Sequence, residues 1–251
     1  MKLADLVRGL PATRLLYQDD SYLRETSCTL LRVEPDERRA YYVITDQSIF
    51  HPKSGGQPSD IGRITGDSFA LEVKKAMFSE GVVIHWGKIV EGEVHTGPAN
   101  LSIDWGPRYR YMRRHTAAHL FDSCLAAVMG RRLESTDSWV GDDSYVGYRG
   151  ASPNIEQLRT AEKMENELIE KGADVTARVV ERNEIASLLT EFPSLDRLPT
   201  DKGLRIVTIE GFQGIPCGGT HVRNISEIGR FQLKPISPSD KGFRVDFDTV
   251  P

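Results

Sequence analysis

Residues 102–130 read SIDWGPRYRYMRRHTAAHLFDSCLAAVMG, and the texture of the chain changes inside that stretch. Pro107 suits the first turn of a helix, where its missing N–H is no loss. The run then continues unbroken to Gly130, a suitable C-terminal stop. Ala117, Phe121, Cys124 and Val128 recur at steps of three and four, the spacing of one core-facing helical stripe. A long helix is therefore expected here, and its flanks decide the fold class.

Upstream the chain is punctuated differently. TSCTLLRVE (26–34), RAYYVITDQSIF (39–50), IGRITG (61–66), FALEVKKAMF (69–78) and GVVIHWG (81–87) are short runs rich in β-branched and aromatic residues. Gly, Pro, Asp and Ser separate them, which predicts strands closely spaced enough for a small barrel or sandwich. Downstream, NIEQLRTAEKMENELIEK (154–171) reads as a second helix between Pro153 and Gly172. DVTARVVE (174–181), a short helical piece near RNEIASLL (182–189), and strands at LRIVTIEG (204–211), GRFQLKPI (229–236) and GFRVDF (242–247) follow. Strict βαβ alternation is absent, so the expected class is α+β. The expected division is a small N-terminal β-barrel-like domain, 1–105, and an α+β domain, 106–251.

With 251 residues, 39% hydrophobic and 27% charged, the composition is that of an ordinary globular protein. A net charge of -4 argues against a general nucleic-acid coat or a polybasic membrane binder, and leaves room for a local basic patch. Cys28, Cys124 and Cys217 are too few and scattered for a disulfide framework. No apolar run approaches the ~20 residues that cross a bilayer. A reduced, cytoplasmic protein with no membrane partner is expected.

His115 and His119 stand four apart on the predicted helix, one turn apart on one face, where two imidazoles can share a metal ion. Taken alone, the pair is equally well two polar residues beside the core stripe. Cys217 and His221 repeat the four-residue spacing near the C-terminus, where a buried free cysteine is the plainer reading. The two halves together make a nitrogen-and-sulfur set suited to tetrahedral zinc. Gly218 and Gly219 would let the intervening backbone turn tightly. Three neutral imidazoles and one thiolate would leave the ion able to polarise water or a carbonyl. Four protein donors also fill a tetrahedron, whereas catalytic zinc usually keeps one position open. Ligand counting leaves both readings standing.

RRHTAAHLF (113–121) with PCGGTHVRNISEIGRF (216–231) resembles the editing domain of alanyl-tRNA synthetase and the free-standing AlaX-type editing proteins. TRLLYQDDSYLRE (13–25) and FHPKSGGQPSDIG (50–62) are similar to the β-domain that precedes the zinc domain in the medium-length form. The resemblance covers nearly the whole chain. It implies a trans-editing esterase that hydrolyses the bond between a wrong amino acid, most often serine, and alanine tRNA. It also implies one zinc per chain, held by His115, His119, Cys217 and His221.

Thr136, in LESTDSW (133–139), matches a threonine that contacts substrate in AlaX proteins; otherwise it reads as a β-branched strand residue. A site that hydrogen-bonds a serine hydroxyl can reject alanine by roughly 10⁴-fold or more. KSGGQPSD matches the family's glycine-rich motif, which implies substrate contacts from Gly55, Gly56 and Gln57, beside Gly218 and Gly219; its plain reading is a turn with positive φ. For tRNA, residues 105–134 hold Arg108, Arg110, Arg113, Arg114, Arg131 and Arg132 against Asp122 and Glu134, a local excess of four positive charges. Arginine pairs with phosphate, and Tyr109 and Tyr111 could stack on unpaired bases. Lys234, Lys241 and Arg244 would extend the patch; a solvated helix end is the plain alternative.

The chain departs from the family at Ser135, where the synthetase has glutamine, and at YVGYRGASP (145–153), where it has an RFDF-like strand. Residues 137–153 are thus the part least transferable by resemblance. His51, where the family often has tyrosine, reads as structural. No general base stands out, Asp60 and Glu134 being weak candidates. Two rivals remain: a zinc-stabilised tRNA-binding module without hydrolysis, and an esterase for glycyl, threonyl or another aminoacyl ester.

Overall fold

A computed structural model of the chain describes residues 2–37, 40–181, 203–240 and 242–251. The α+β class is as expected, and the chain divides into two compact units, Met1–Met112 and Arg113–Pro251.

The first unit holds α1 (Leu3–Val7), β1 (Arg14–Leu15), α2 (Leu16–Asp19), β2 (Glu25–Pro35), β3 (Ala40–Thr45), β4 (Gln47–Ser48), β5 (Gly62–Thr65), β6 (Phe69–Ser79), β7 (Val82–Gly92) and β8 (Gly97–Ile103). Six of these strands close into an antiparallel barrel in the order β2-β3-β7-β6-β5-β8. Alternation drives the closure. Phe69, Leu71 and Val73 on β6 point inward with Val43, Ile64 and Leu101. A register shift between Val73 and Lys75 moves the inward phase to Ala76 and leaves Lys74 and Lys75 outside. Val82, Val83 and Ile84 form an unbroken apolar run because β7 is covered on both faces. Val83 joins the barrel core, while Val82 and Ile84 pack with Leu6 and Val7 of α1. The closing strand, β8, falls where no strand was expected, and Ala99, Leu101 and Ile103 turn inward from it.

α3 (Trp105–Met129) follows, then β9 (Ser135–Trp139), β10 (Tyr145–Arg149), α4 (Ile155–Lys171), β11 (Val175–Val180), β12 (Leu204–Ile209), β13 (Ile215–Pro216), a 3-10 turn (Ile225–Ile228), β14 (Arg230–Leu233), β15 (Ser237–Ser239) and β16 (Gly242–Val250). Two antiparallel sheets result, one ordered β14-β16-β10-β9 with β15 also on β16, the other β11-β12-β13. On α3 the stripe of Ala117, Phe121 and Cys124 is buried, and Phe121 stacks on Phe231 of β14 at 5.1 Å. α4 starts at a reciprocal cap: Asn154 and Gln157 each accept the other's backbone N–H at 2.9 Å. Its inner face is Leu158, Ala161, Glu165 and Ile169, an apolar stripe with one carboxylic acid in it. The helical piece expected at 182–189, and Lys241, lie outside the described residues.

Candidate metal centre

α3 carries His115 and His119 on one face, one helical turn apart, with ring centroids 5.1 Å from each other. β13 delivers Cys217 just past its end, and His221 follows. The rings of His115 and His119 lie 4.4 and 4.7 Å from that of His221. Cys217 Sγ is 3.4 Å from His115 Nε2 and 3.3 Å from His221 Nε2. One donor atom from each of the four residues lies within 4.8 Å of the other three.

The distances fit a metal ion. In tetrahedral zinc, bonds of about 2.0–2.1 Å to nitrogen and 2.3 Å to sulfur put neighbouring donors roughly 3.4–3.6 Å apart. The observed sulfur–nitrogen separations, 3.4 and 3.3 Å, come within a few tenths of an ångström of that range, and the set is the soft N/S kind that selects zinc over hard cations. The protonation states agree with a ligand role at His119. Burial, then the charges of Arg132 and Arg205, push its pKa down to about 4, so the imidazole is neutral. Burial raises the Cys217 thiol, while the Gly219 N–H and Arg205 work the other way and favour the thiolate.

A second layer fixes these groups. His221 Nδ1 is 3.1 Å from Thr116 Oγ1, which also accepts the Val222 N–H at 3.2 Å. That contact leaves Nε2 of His221 facing Cys217. Arg205 on β12 donates to the carbonyls of Cys217 and Gly219, and the Gly219 N–H points at Cys217 Sγ from 3.4 Å. Sequence reading missed both Thr116 and Arg205. Their only signals were a hydroxyl lying between the two histidines and a lone cation in an apolar strand.

The expected tRNA contacts separate into two groups. Arg108 is a correction: it is fully buried in the first unit and inaccessible to phosphate. Its guanidinium grips Asp60 and donates to the carbonyls of Ile49 and Ser21. The same ion pair removes Asp60 as a general base. Arg113 is also a correction, being buried with its Nε donating to the Ile228 carbonyl at 2.9 Å. Arg114 is mostly covered, and holds Asp248 at 2.9 Å and the Gly141 carbonyl at 2.8 Å. Arg110, Arg131 and Arg132 are exposed. Glu134 is exposed and paired with Arg149 at 3.0 Å.

In the first unit, Gly55 and Gly56 take φ of 54° and 77°, the two positive values a tight turn of this kind requires, between Ser54 and Gln57. Gln57 is buried, Gly55 exposed. His51 is buried edge-on to Tyr17, with its backbone N–H on Asp60 Oδ2, consistent with a structural role. In the second unit Gly218 is exposed and Gly219 buried.

Thr136 lies on β9 at an irregularity. Gly147 of β10 pairs with Asp137, Tyr148 pairs with Ser135, and Thr136 is the extra residue of a bulge. Its hydroxyl donates to Asp137 Oδ1 at 2.8 Å.

Two sequence families match the chain. Residues 27–106 match a family described as tRNA synthetases class II (A), and residues 204–244 match the threonyl and alanyl tRNA synthetase second additional domain. An alanyl-tRNA editing protein, AlaX-M, of Methanosarcina barkeri is 33% identical over 95% of this chain and 99% of its own length. The AlaX-M of Methanosarcina mazei is 30% identical over 92% and 94%. An alanine–tRNA ligase of Ignicoccus hospitalis is 29% identical over 98% of this chain and 27% of the ligase.

Proposed function

The chain belongs to the family of alanyl-tRNA editing proteins, and from that premise we propose that it is a trans-editing hydrolase which deacylates mischarged alanine tRNA, the seryl ester first. The observation that carries the reading is the convergence of His115, His119, Cys217 and His221 to within 4.8 Å. In this reading they hold one zinc ion per chain. When bound, zinc supplies a Lewis acid that polarises oxygen, or a fixed centre about which the pocket is built.

The chain's own residues do the rest. Arg205 and Thr116 hold Cys217 and His221 in place, and Arg132 sets positive charge near His119 for the anionic end of an RNA. Arg110, Arg131 and Arg132 offer phosphate contacts. Thr136 contacts the amino-acid side chain, and Gly55, Gly56, Gln57, Gly218 and Gly219 serve the substrate. Division into a barrel domain, 1–105, and an editing domain, 106–251, belongs to the same proposal, as does a cytoplasmic site of action. No helix among the described residues is long and apolar enough to cross a membrane.

One observation favours a second reading, a metal that organises a tRNA-binding module without hydrolysis: four protein donors already complete a tetrahedron. Deacylation of seryl, glycyl and alanyl esters of alanine tRNA decides between them. The expected result is turnover of the seryl ester by wild type, lost in His119→Ala. Binding of tRNA without turnover would establish the second reading, and preference for the glycyl ester would move the substrate.

A further inference from the structure

β9 and β10 together build a polar device around one carboxylate. Asp137 Oδ1 accepts the Thr136 hydroxyl at 2.8 Å, and Asp137 Oδ2 accepts the Tyr145 hydroxyl at 3.1 Å. Adjacent strand residues normally face opposite sides, yet Thr136 and Asp137 meet on one side because Thr136 is the extra residue of the bulge. Gly147, paired with Asp137, makes room for both. A Cβ there would lie 2.4 Å from Asp137 Oδ1 and 2.8 Å from Thr136 Oγ1. The Arg244 guanidinium covers the Tyr145 ring at 3.7 Å and is itself held by Asp246, so Tyr145 is fixed from its other side. Burial and the neighbouring Asp137 raise the Tyr145 pKa, which keeps the phenol a donor.

An ionised carboxylate only accepts, and a hydroxyl has one proton to give. With that proton committed to Asp137, Thr136 Oγ1 turns lone pairs outward. The group it presents is then an acceptor, which suits a ligand donor such as the hydroxyl of a seryl group and gives nothing to a methyl.

We propose that Asp137 is the positioning residue that fixes Thr136 as a hydrogen-bond acceptor and so sets discrimination between hydroxylated and methyl side chains of the aminoacyl group. The proposal rests on the editing function given above. It concerns a residue in the segment where resemblance transfers least, and Asp137 acts through Thr136 without touching the reacting atoms.

Asp137→Leu tests it, because a side chain of similar shape without oxygen accepts from neither partner and so releases the Thr136 proton. Two measurements are made: kcat/KM for seryl and alanyl esters of alanine tRNA, and affinity for non-hydrolysable 3'-seryl and 3'-alanyl amides of adenosine. The seryl-over-alanyl ratio is expected to fall by about tenfold in both, the worth of one hydrogen bond. Bound metal is expected to stay as in wild type. In a Thr136→Val background Asp137→Leu is expected to change the ratio no further.

An unchanged ratio in a wild-type-like, metal-loaded Asp137→Leu protein would overturn the inference and leave the editing function standing. The same holds for an equal loss of rate and affinity on both side chains, which would make Asp137 merely structural. Wild type that neither hydrolyses the seryl ester nor binds the seryl amide would overturn the editing reading, and this inference with it.

Discussion

Arg205 and Cys217 are bonded in both directions: the Cys217 N–H donates to the Arg205 carbonyl at 3.0 Å, and the Arg205 guanidinium donates to the Cys217 carbonyl at 2.9 Å. The cysteine is therefore held through both its backbone N–H and its carbonyl. Arg205→Ala keeps all four donors but frees the loop that carries one of them. Its zinc affinity is expected to fall by about 10–100-fold, the usual cost of losing support around a ligand, read by competition with a chromogenic chelator. Unchanged affinity would show that the ion itself shapes the loop.

Native protein is expected to carry about one zinc per chain, as a single closed N/S site holds one ion. Elemental analysis checks this. Cys217→Ala should abolish loading, and Thr116→Val should weaken it by about 10–100-fold through loss of the contact to His221 Nδ1. Absence of metal in native protein would remove the proposed cofactor.

Glu165 predicts a pH dependence of stability. Its side chain is fully buried on α4, and neither carboxyl oxygen has a hydrogen-bond partner among the described residues. Burial, then Glu162 and Asp122, raise its pKa well above the ordinary value, and burial lifts Asp122 to about 6 despite the Tyr148 hydroxyl it accepts. A folded-state pKa above the unfolded one gives stability that is complete below about pH 4 and is lost as pH rises through the folded value. Asp122 loses its share by about pH 6, and Glu165 at higher pH. Glu165→Met should therefore raise stability in denaturant melts by roughly 1–3 kcal/mol near neutral pH, and by less at pH 5. An equal gain at both would contradict the assignment.

Arg108 and Arg131 are expected to behave oppositely. Arg108→Ala leaves Asp60 buried without its cation and should destabilise the fold by about 3–5 kcal/mol. Arg131→Ala should leave stability alone, weaken tRNA binding, and lower the slope of log affinity against log salt by about 1. Thermal melts and a salt titration of tRNA binding separate the two.

Much of this architecture is local and therefore legible in the sequence. The turn-to-turn spacing of His115 and His119 needs only a helix, and the stripe through Phe121 guarantees one. Cys217 and His221 are legible as a half-site whose meaning depends on the other half, about a hundred residues away. Arg108 is different, since its role is decided by an aspartate 48 positions upstream, and no composition rule announces which cation of a basic run turns inward. β8 was missed because Ala99 and Leu101 alternate with Pro, Asn and Ser, so its strand character comes from filling the gap between β2 and β5. The bulge at Thr136 has no sequence signature. It is a mismatch in register, visible only when the partner strand is known.

That bulge has a consequence for self-association. Among the described residues β9 is the terminal strand of its sheet, the position at which an exposed row of N–H and C=O groups invites a second chain to pair. An extra residue breaks the even spacing of those groups, and a carboxylate beside it repels an identical partner strand. Removing Thr136 would restore a regular edge, so this one extra residue guards the protein against edge-to-edge aggregation.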